Sequence, residues 1–293
     1  MKTRLRQNNL PRCDFLLNLN RVTVPKVTIQ NNKTPASSCE TKLVETREEL
    51  EEALRLVYRK YNIAGFQKKN SSGMRVNFHN LLPTSYTLIR KNNSRIEGTL
   101  TVVQEYQGRL PSSELFAEEI KQVRNNNSLL CELSGLAINT SSFKSSKTTL
   151  LSLFKAAFIL GFDLLGCTDF CMMINPSHCN FYKNEMQFEK IGPVRYYDKV
   201  NNAPAILLKL DLLTCEQHFQ EKKPRLHDYF FLQKRTTVQN KLLSQLSRHK
   251  KLFNEQLAKY FLKTETAILS NLTADEKQIL SLYFPQLTKT LLV

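Results

Sequence analysis

No apolar run in this sequence is both long and uninterrupted. The longest, Leu150 to Leu165, is broken by Ser152, Lys155 and Asp163, side chains that are costly in hydrocarbon, so it reads as a buried core helix and not as a membrane span. The N-terminus lacks the apolar h-region and small-residue cleavage site of a secretory signal, which points away from export. No internal repeat or low-complexity tract appears, which excludes repeat architectures. Metal-ligand spacing is missing too: Cys167-x3-Cys171 and His178-Cys179 fall on a strand and on a separate helix, so no metal is expected. There is no zinc-finger or RRM signature and no interleaving of aromatic and basic residues, so no specific nucleic acid is expected as a partner.

What is present fits a folded enzyme-sized chain. At 293 residues, 41% apolar and 23% charged, it can bury one large core or two modest ones, and disorder throughout is excluded. Seven cysteines, an odd number, are scattered, several inside apolar runs. That usage predicts free thiols in a reducing cytosol and hence a cytoplasmic location. The formal charge is +16, which by itself suggests nucleic acid or a peripheral membrane contact. The excess sits in the flanks: residues 1–39 carry seven Lys/Arg against one Asp, and residues 214–293 thirteen against seven acidic groups.

Three regions follow: a basic, loosely ordered leader over 1–39, an α/β core over 40–213, and a helical appendage over 214–293 that packs on the core or on a partner. Within the core, Thr46 with Glu49 forms a capping-box pattern ahead of Leu50, Ala53, Leu54, Val57 and Tyr61 at helical spacing, which predicts a helix ending near Gly65. Tyr86–Arg90 and Ile96–Tyr106 read as a hairpin. Helices are expected over Ser112–Val123, Thr148–Leu165 and His178–Met186. Strands are expected over Leu129–Ile138, Phe170–Ile174, Glu189–Tyr197 and Ala205–Leu210. Beyond 213, a helical stripe runs from Val238 to Phe261, and Thr273 with Glu276 caps a helix ending before Pro285.

Four stretches carry a resemblance: Arg55-Leu-Val-Tyr-Arg-Lys-Tyr61 leading to Gly65-Phe66, Glu132-Leu-Ser-Gly-Leu-Ala-Ile138, Asn175-Pro-Ser-His-Cys-Asn-Phe-Tyr182, and Asn201-Asn-Ala-Pro-Ala-Ile-Leu-Leu208. In order and spacing they resemble the GNAT superfamily, and within it the N-acyl amino acid synthases that use acyl carrier protein, with acyl-homoserine lactone synthases more distant. The resemblance implies a mixed central sheet flanked by helices. It implies an acyltransferase that moves an acyl group from a carrier-protein or CoA thioester to the amine of an amino acid or similar small molecule. No cofactor is implied beyond the acyl-phosphopantetheine co-substrate, and an acidic carrier protein would suit the basic flanks. Two departures stand out: Gly135 occupies the place where the family strand often carries Arg, and 139–147 lacks the Gly-rich pyrophosphate loop of general GNAT proteins.

Aminolysis of a thioester needs a neutral amine, a stabilised oxyanion and a protonated leaving thiolate. Glu132 lies in an otherwise apolar strand, where burial raises its pKa and suits it to accept a proton; the resemblance points to the same residue as base. The alternative is a carboxylate paired with a neighbouring Arg. By resemblance Tyr182 sits near the thioester sulfur and hands it a proton, and His178 binds the acceptor carboxylate or shares the proton work; as plain structure they are a core aromatic and a helix-start histidine. Ser141, Ser142, Lys144, Lys147 and Thr148 form a polar loop before the apolar helix, where free N–H groups and the dipole favour the phosphopantetheine phosphate. The Leu150–Leu165 stripe either frames an acyl slot or is core. Two other readings stay open: a nucleic-acid-binding protein on a silent GNAT-like core, and an acyl-homoserine lactone-type synthase.

Overall fold

A computed structural model describes residues 39–124 and 128–287; the leader expected over 1–39 lies, except for Cys39, outside them. Regular structure opens with β1 (Cys39–Leu43) and α1 (Arg47–Ile63). Thr46 caps α1 by accepting from the Glu49 N–H at 3.2 Å, while the Glu49 carboxylate accepts from Glu45 N–H at 3.1 Å. The hairpin is β2 (Ser85–Asn92) and β3 (Arg95–Gln104), followed by α2 (Ser113–Val123), β4 (Leu130–Ile138), α3 (Phe143–Phe158), β5 (Asp169–Ile174) and α4 (Cys179–Met186). Two short strands, β6 (Glu189–Lys190) and β7 (Arg195–Tyr197), precede β8 (Ala203–Asp211).

The sheet runs β1-β2-β3-β4-β5-β8-β6, with β7 also on β8. Every pairing is antiparallel except β4 with β5, which run parallel and touch only from Leu130 to Glu132 against Asp169 to Cys171. Beyond that point the strands part. A bulge helps to separate them: the β3–β4 register shifts between Thr99 and Thr101, where Gly135 adopts φ +62°. A β-branched or long side chain is strained at such a φ, so glycine suits the bulge.

Helices cover both faces. On one, α3 lies over β2, β3 and β4 and continues through a π turn at Ile159–Leu164. There Gly161 permits close packing, since a Cβ would stand 2.5 Å from the Phe170 ring. Phe158 is the hub, with the rings of Phe170, Phe219, Phe230 and Phe231 at centroid distances of 5.1 to 6.1 Å. Each such buried ring contributes about 1.5–3 kcal/mol. Phe219 belongs to α5 (Cys215–Lys222); α6 (Pro224–His227) and a π turn follow before α7 (Arg235–Leu252). On the other face α1 packs with α8 (Glu255–Thr264), α9 (Thr266–Asn271) and α10 (Ala274–Tyr283). The expected capping box is there, with Thr273 Oγ1 accepting from Glu276 N–H at 3.2 Å and Glu276 Oε2 accepting from Thr273 N–H at 2.9 Å.

The helices after β8 are tied into the sheet by polar contacts as well as packing. Gln245 Oε1 accepts from Leu43 N–H at 3.1 Å, and the ring nitrogens of buried His249 lie 2.9 and 2.8 Å from the carbonyl oxygens of Val44 and Ser85. Burial lowers the His249 pKa and favours the neutral imidazole, which donates from one nitrogen only, so His249 satisfies one of these two carbonyl oxygens where α7 shields both from water.

Four sequence expectations need correction. The apolar helix begins at Phe143 and not Thr148, because Ser142 is its N-cap and accepts from Ser145 N–H at 3.2 Å; Lys144, Lys147 and Thr148 therefore sit on helical turns and not in a loop. The single strand over 189–197 is two, interrupted at Gly192-Pro193 where proline has no N–H to give the ladder. The stripe from Val238 to Phe261 is two helices, since Asn254 caps a new start at Leu257 N–H, 3.0 Å away. Finally, Cys131 and Cys167 are joined as a disulfide with a Cα separation of 6.2 Å, whereas Cys39, Cys171, Cys179 and Cys215 are free. Pairing of residues 36 apart depends on β4 and β5 lying side by side, which cysteine spacing does not disclose.

Candidate active site

A cavity of about 1360 Å3 opens where β4 and β5 diverge. Its walls come from α1, the segment Met74–Asn80, α2, the parted strands, the turn between β7 and β8, and the C-terminal stretch 265–279. Pockets for one drug-sized ligand run to about 1,000 Å3, so the space admits two reactants side by side. The apolar residues of α3 from Leu150 onward do not line it; of the two readings of that stripe, acyl slot or core, the structure bears out core.

Glu132 is the last residue of β4 still paired with β5, opposite Val103 and Cys171. Its carboxyl faces the cavity yet is only 2% exposed, and Oε2 accepts from Ser112 N–H at 2.7 Å. Burial pushes its pKa up to about 7, against the smaller opposing pull of the Ser112 bond. No ion pair to Arg forms, so the settling Arg–Glu pair weighed from sequence is absent among the described residues.

His178 and Tyr182 stand one helical turn apart at the start of α4, below the end of β5. Asn175 Oδ1 fixes the turn by accepting from Ser177 N–H at 3.0 Å. The His178 ring lines the cavity with Nδ1 unpartnered, and burial lowers its pKa, which keeps the imidazole neutral near pH 7. The Tyr182 ring packs against Phe154, Phe181 and Phe188 at centroid distances of 6.1, 5.1 and 6.0 Å. Burial pushes its phenol well up, so it stays protonated. Glu132, His178 and Tyr182 thus face one cavity, which two separate stretches of sequence could not show.

The residues expected to anchor a phosphate are placed differently. Ser141, Ser142, Lys144, Lys147 and Thr148 lie at the cap and first turns of α3 and do not line the cavity, whereas their neighbours Thr140 and Ser146 do. Thr148 Oγ1 is engaged with the Lys144 carbonyl at 3.0 Å. Among the described residues no group of three or more His, Cys, Asp or Glu could hold a metal ion, and no helix is long and apolar enough to cross a membrane.

Several lining residues escaped the sequence reading. His79 is buried and held neutral, its pKa lowered by burial to about 3. Tyr197 donates to Glu114 Oε2 at 3.0 Å, and Lys199 meets the same carboxylate at 2.7 Å. Arg75 and Tyr106 also contribute. Arg75 and His79 lie in a polar stretch without periodicity, and nothing in its pattern marks them out.

The family described as N-acyl amino acid synthase FeeM matches residues 52–211. The chain belongs to this family. The solved FeeM, an N-acyl amino acid synthase from uncultured soil microbes, superposes with a TM-score of 0.53 at 23% identity, over 61% of this chain and 93% of that one. The acyl-homoserine lactone synthase LasI gives 0.45 at 15% identity over 59% and 89%, and the CoA-dependent synthase BjaI 0.47 at 14% over 62% and 89%. Among curated proteins no match is found. The FeeM superposition shows the GNAT-like fold, and family membership makes the protein an N-acyltransferase. The family match spans β3, β4, β5, α4 and β8 and stops at Asp211. Helices α5–α10, including the cavity wall at 265–279, lie outside it.

Proposed function

We propose that this FeeM-family enzyme moves a fatty acyl group from the phosphopantetheine thioester of a carrier protein or CoA to the amine of an amino acid or similar small molecule. The carrying observation is Glu132: a buried carboxyl with its pKa near 7, where the strands part, in one cavity with His178 and Tyr182. An α-amino group has a pKa of roughly 8, so giving its proton to a carboxylate at about 7 is uphill by roughly one unit, or about 1.4 kcal/mol. The same transfer to an ordinary carboxylate would cost more than twice as much.

In this reading Glu132 takes a proton from the amine, whose nitrogen attacks the thioester carbonyl carbon. As the tetrahedral adduct collapses, the C–N bond stays and the C–S bond breaks. As the C–S bond breaks, the phenol of Tyr182 gives its proton to the departing thiolate and recovers one from the nitrogen, which sheds its second proton as the amide forms, so one ammonium proton ends on Glu132 and one on the thiol. His178, neutral and with Nδ1 free, shares the proton traffic. The phosphate of the donor arm lies outside the cavity, at the cap of α3 by Ser141 and Ser142 with Lys144, Lys147 and Thr148 on the adjoining turns, and the arm enters past Thr140 and Ser146, which line the cavity.

The reading is tested by incubating the purified protein with medium-chain and long-chain acyl-carrier-protein and acyl-CoA thioesters and the common amino acids, following free thiol and N-acyl product by mass spectrometry. Amide formed in step with thiol supports it; thiol release without amide sinks it. Replacing Tyr182 by Phe keeps the ring packing and removes the donor, so kcat is expected to fall about 10-fold to 100-fold with KM for the donor nearly unchanged. An unchanged kcat would free Tyr182 from the chemistry.

A further inference from the structure

The cavity holds a guanidinium that no carboxylate answers. Arg75 lies between α1 and the short turn at Phe78–Leu81, with its guanidinium carbon 4.7 Å from the Tyr61 ring centroid and a hydrogen bond to Gln67 Oε1. No acidic side chain among the described residues pairs with it. Elsewhere in this protein the partly buried arginines Arg124, Arg195 and Arg235 face Glu105, Glu119 and Asp163 at 2.7, 2.7 and 2.6 Å. Arg109 and Lys199, which line the same cavity, are likewise paired, with Asp275 and Glu114.

Arg75 is half-buried, and a partly desolvated cation without a counter-ion is unfavourable unless an anion completes it. Burial already weighs against the charged form of Arg75. Its charge acts on Tyr197 and His79, and Tyr197 also feels Glu132; Arg75 and Glu132 line the same cavity. The neutral His178 offers no full charge for an anion. Arg75 supplies the fork-shaped pair of donors that suits a carboxylate.

We propose that Arg75 anchors the carboxylate of the acceptor, making the enzyme selective for amines that carry a carboxylate. The inference rests on the acyl-transfer reading above and adds the acceptor's recognition group. A donor phosphate could supply the same negative charge, and the test separates the two.

Wild type, Arg75→Gln and Arg75→Lys are compared on an amino acid and on its amide, with one thioester donor. In wild type the amino acid is favoured. Arg75→Gln is expected to raise its KM by about 10-fold to 100-fold, leaving KM for the amide and the donor within about two-fold, and Arg75→Lys recovers part of the loss. A rise in donor KM instead assigns Arg75 to the phosphate and overturns the proposal, as does an equal loss on amino acid and amide. Binding of N-dodecanoyl glycine and of its amide, measured by calorimetry, gives a readout without turnover: the acid binds wild type more tightly and Arg75→Gln erases the difference. Equal binding to wild type overturns the inference. A preserved preference for the acid in a protein that acylates no amine would instead remove the acyl-transfer reading alone.

Discussion

Glu132→Gln is expected to lower kcat about 100-fold to 10,000-fold, the range typical of losing a positioned base. Glutamine keeps the shape and leaves the Ser112 N–H an acceptor, so the fold is retained. In wild type kcat/KM should climb as pH rises towards about 7, as the carboxyl ionises, and level off above it; the variant's residual rate should lack that inflection. The same carboxyl sets a stability signature of known sign. Its folded pKa of about 7 lies above the ordinary 4.5, so its contribution is fully present below 4.5 and is lost as pH rises through 7. Glu132→Gln should therefore gain stability relative to wild type above neutrality, by up to roughly 3 kcal/mol. Urea titrations at acid and alkaline pH check this. A variant with the wild-type rate would take Glu132 out of the reaction, and a pH-independent stability difference would remove the raised pKa.

His249→Ala should destabilise the protein by about 3 kcal/mol, from the emptied ring volume and the carbonyl oxygen, of Val44 or Ser85, that loses its imidazole N–H. His249 is wholly buried and its ring lies 5.3 Å from that of Tyr86 and 4.6 Å from that of Phe253. It joins α7 to the first two strands, far along the chain from the residues of the family match. A shift in the urea midpoint without a change in slope would mark a loss of stability in one cooperative unit. A loss below about 1 kcal/mol would show that the contact adds little to the packing around it.

Local signals placed most of the scaffold. The N-cap at Thr46, the capping box at Thr273, the hairpin around residues 91–95 and the alternation of apolar residues mark elements whose driving forces act within a few residues. The failures share a cause. Ser142 hid the true start of α3 inside a polar run because the first turn presents lysine and serine to water. The apolar stripe of α3 left core and acyl slot both open, because periodicity shows that a face is buried but not what buries it, and the structure makes it core. Gly161 and Phe170 meet at a distance no local pattern encodes.

The site was legible in part. Glu132 stood out because a carboxyl in an apolar strand is desolvated wherever that strand is packed, and His178 and Tyr182 because of the resemblance their stretch carries. Arg75, His79 and Tyr197 did not, since they enter the cavity from irregular segments or a short strand. By itself the sequence determined the order and type of the main elements, the apolar faces and the chemical candidates, because propensity, capping and burial pattern are properties of neighbouring residues. Only the tertiary structure decided that β4 and β5 part after Glu132, that the C-terminal helices wall the cavity, and that Arg75 stands there without a counter-ion. Those outcomes depend on strand register and on packing between residues distant in the chain, and on which polar groups that packing leaves unpaired.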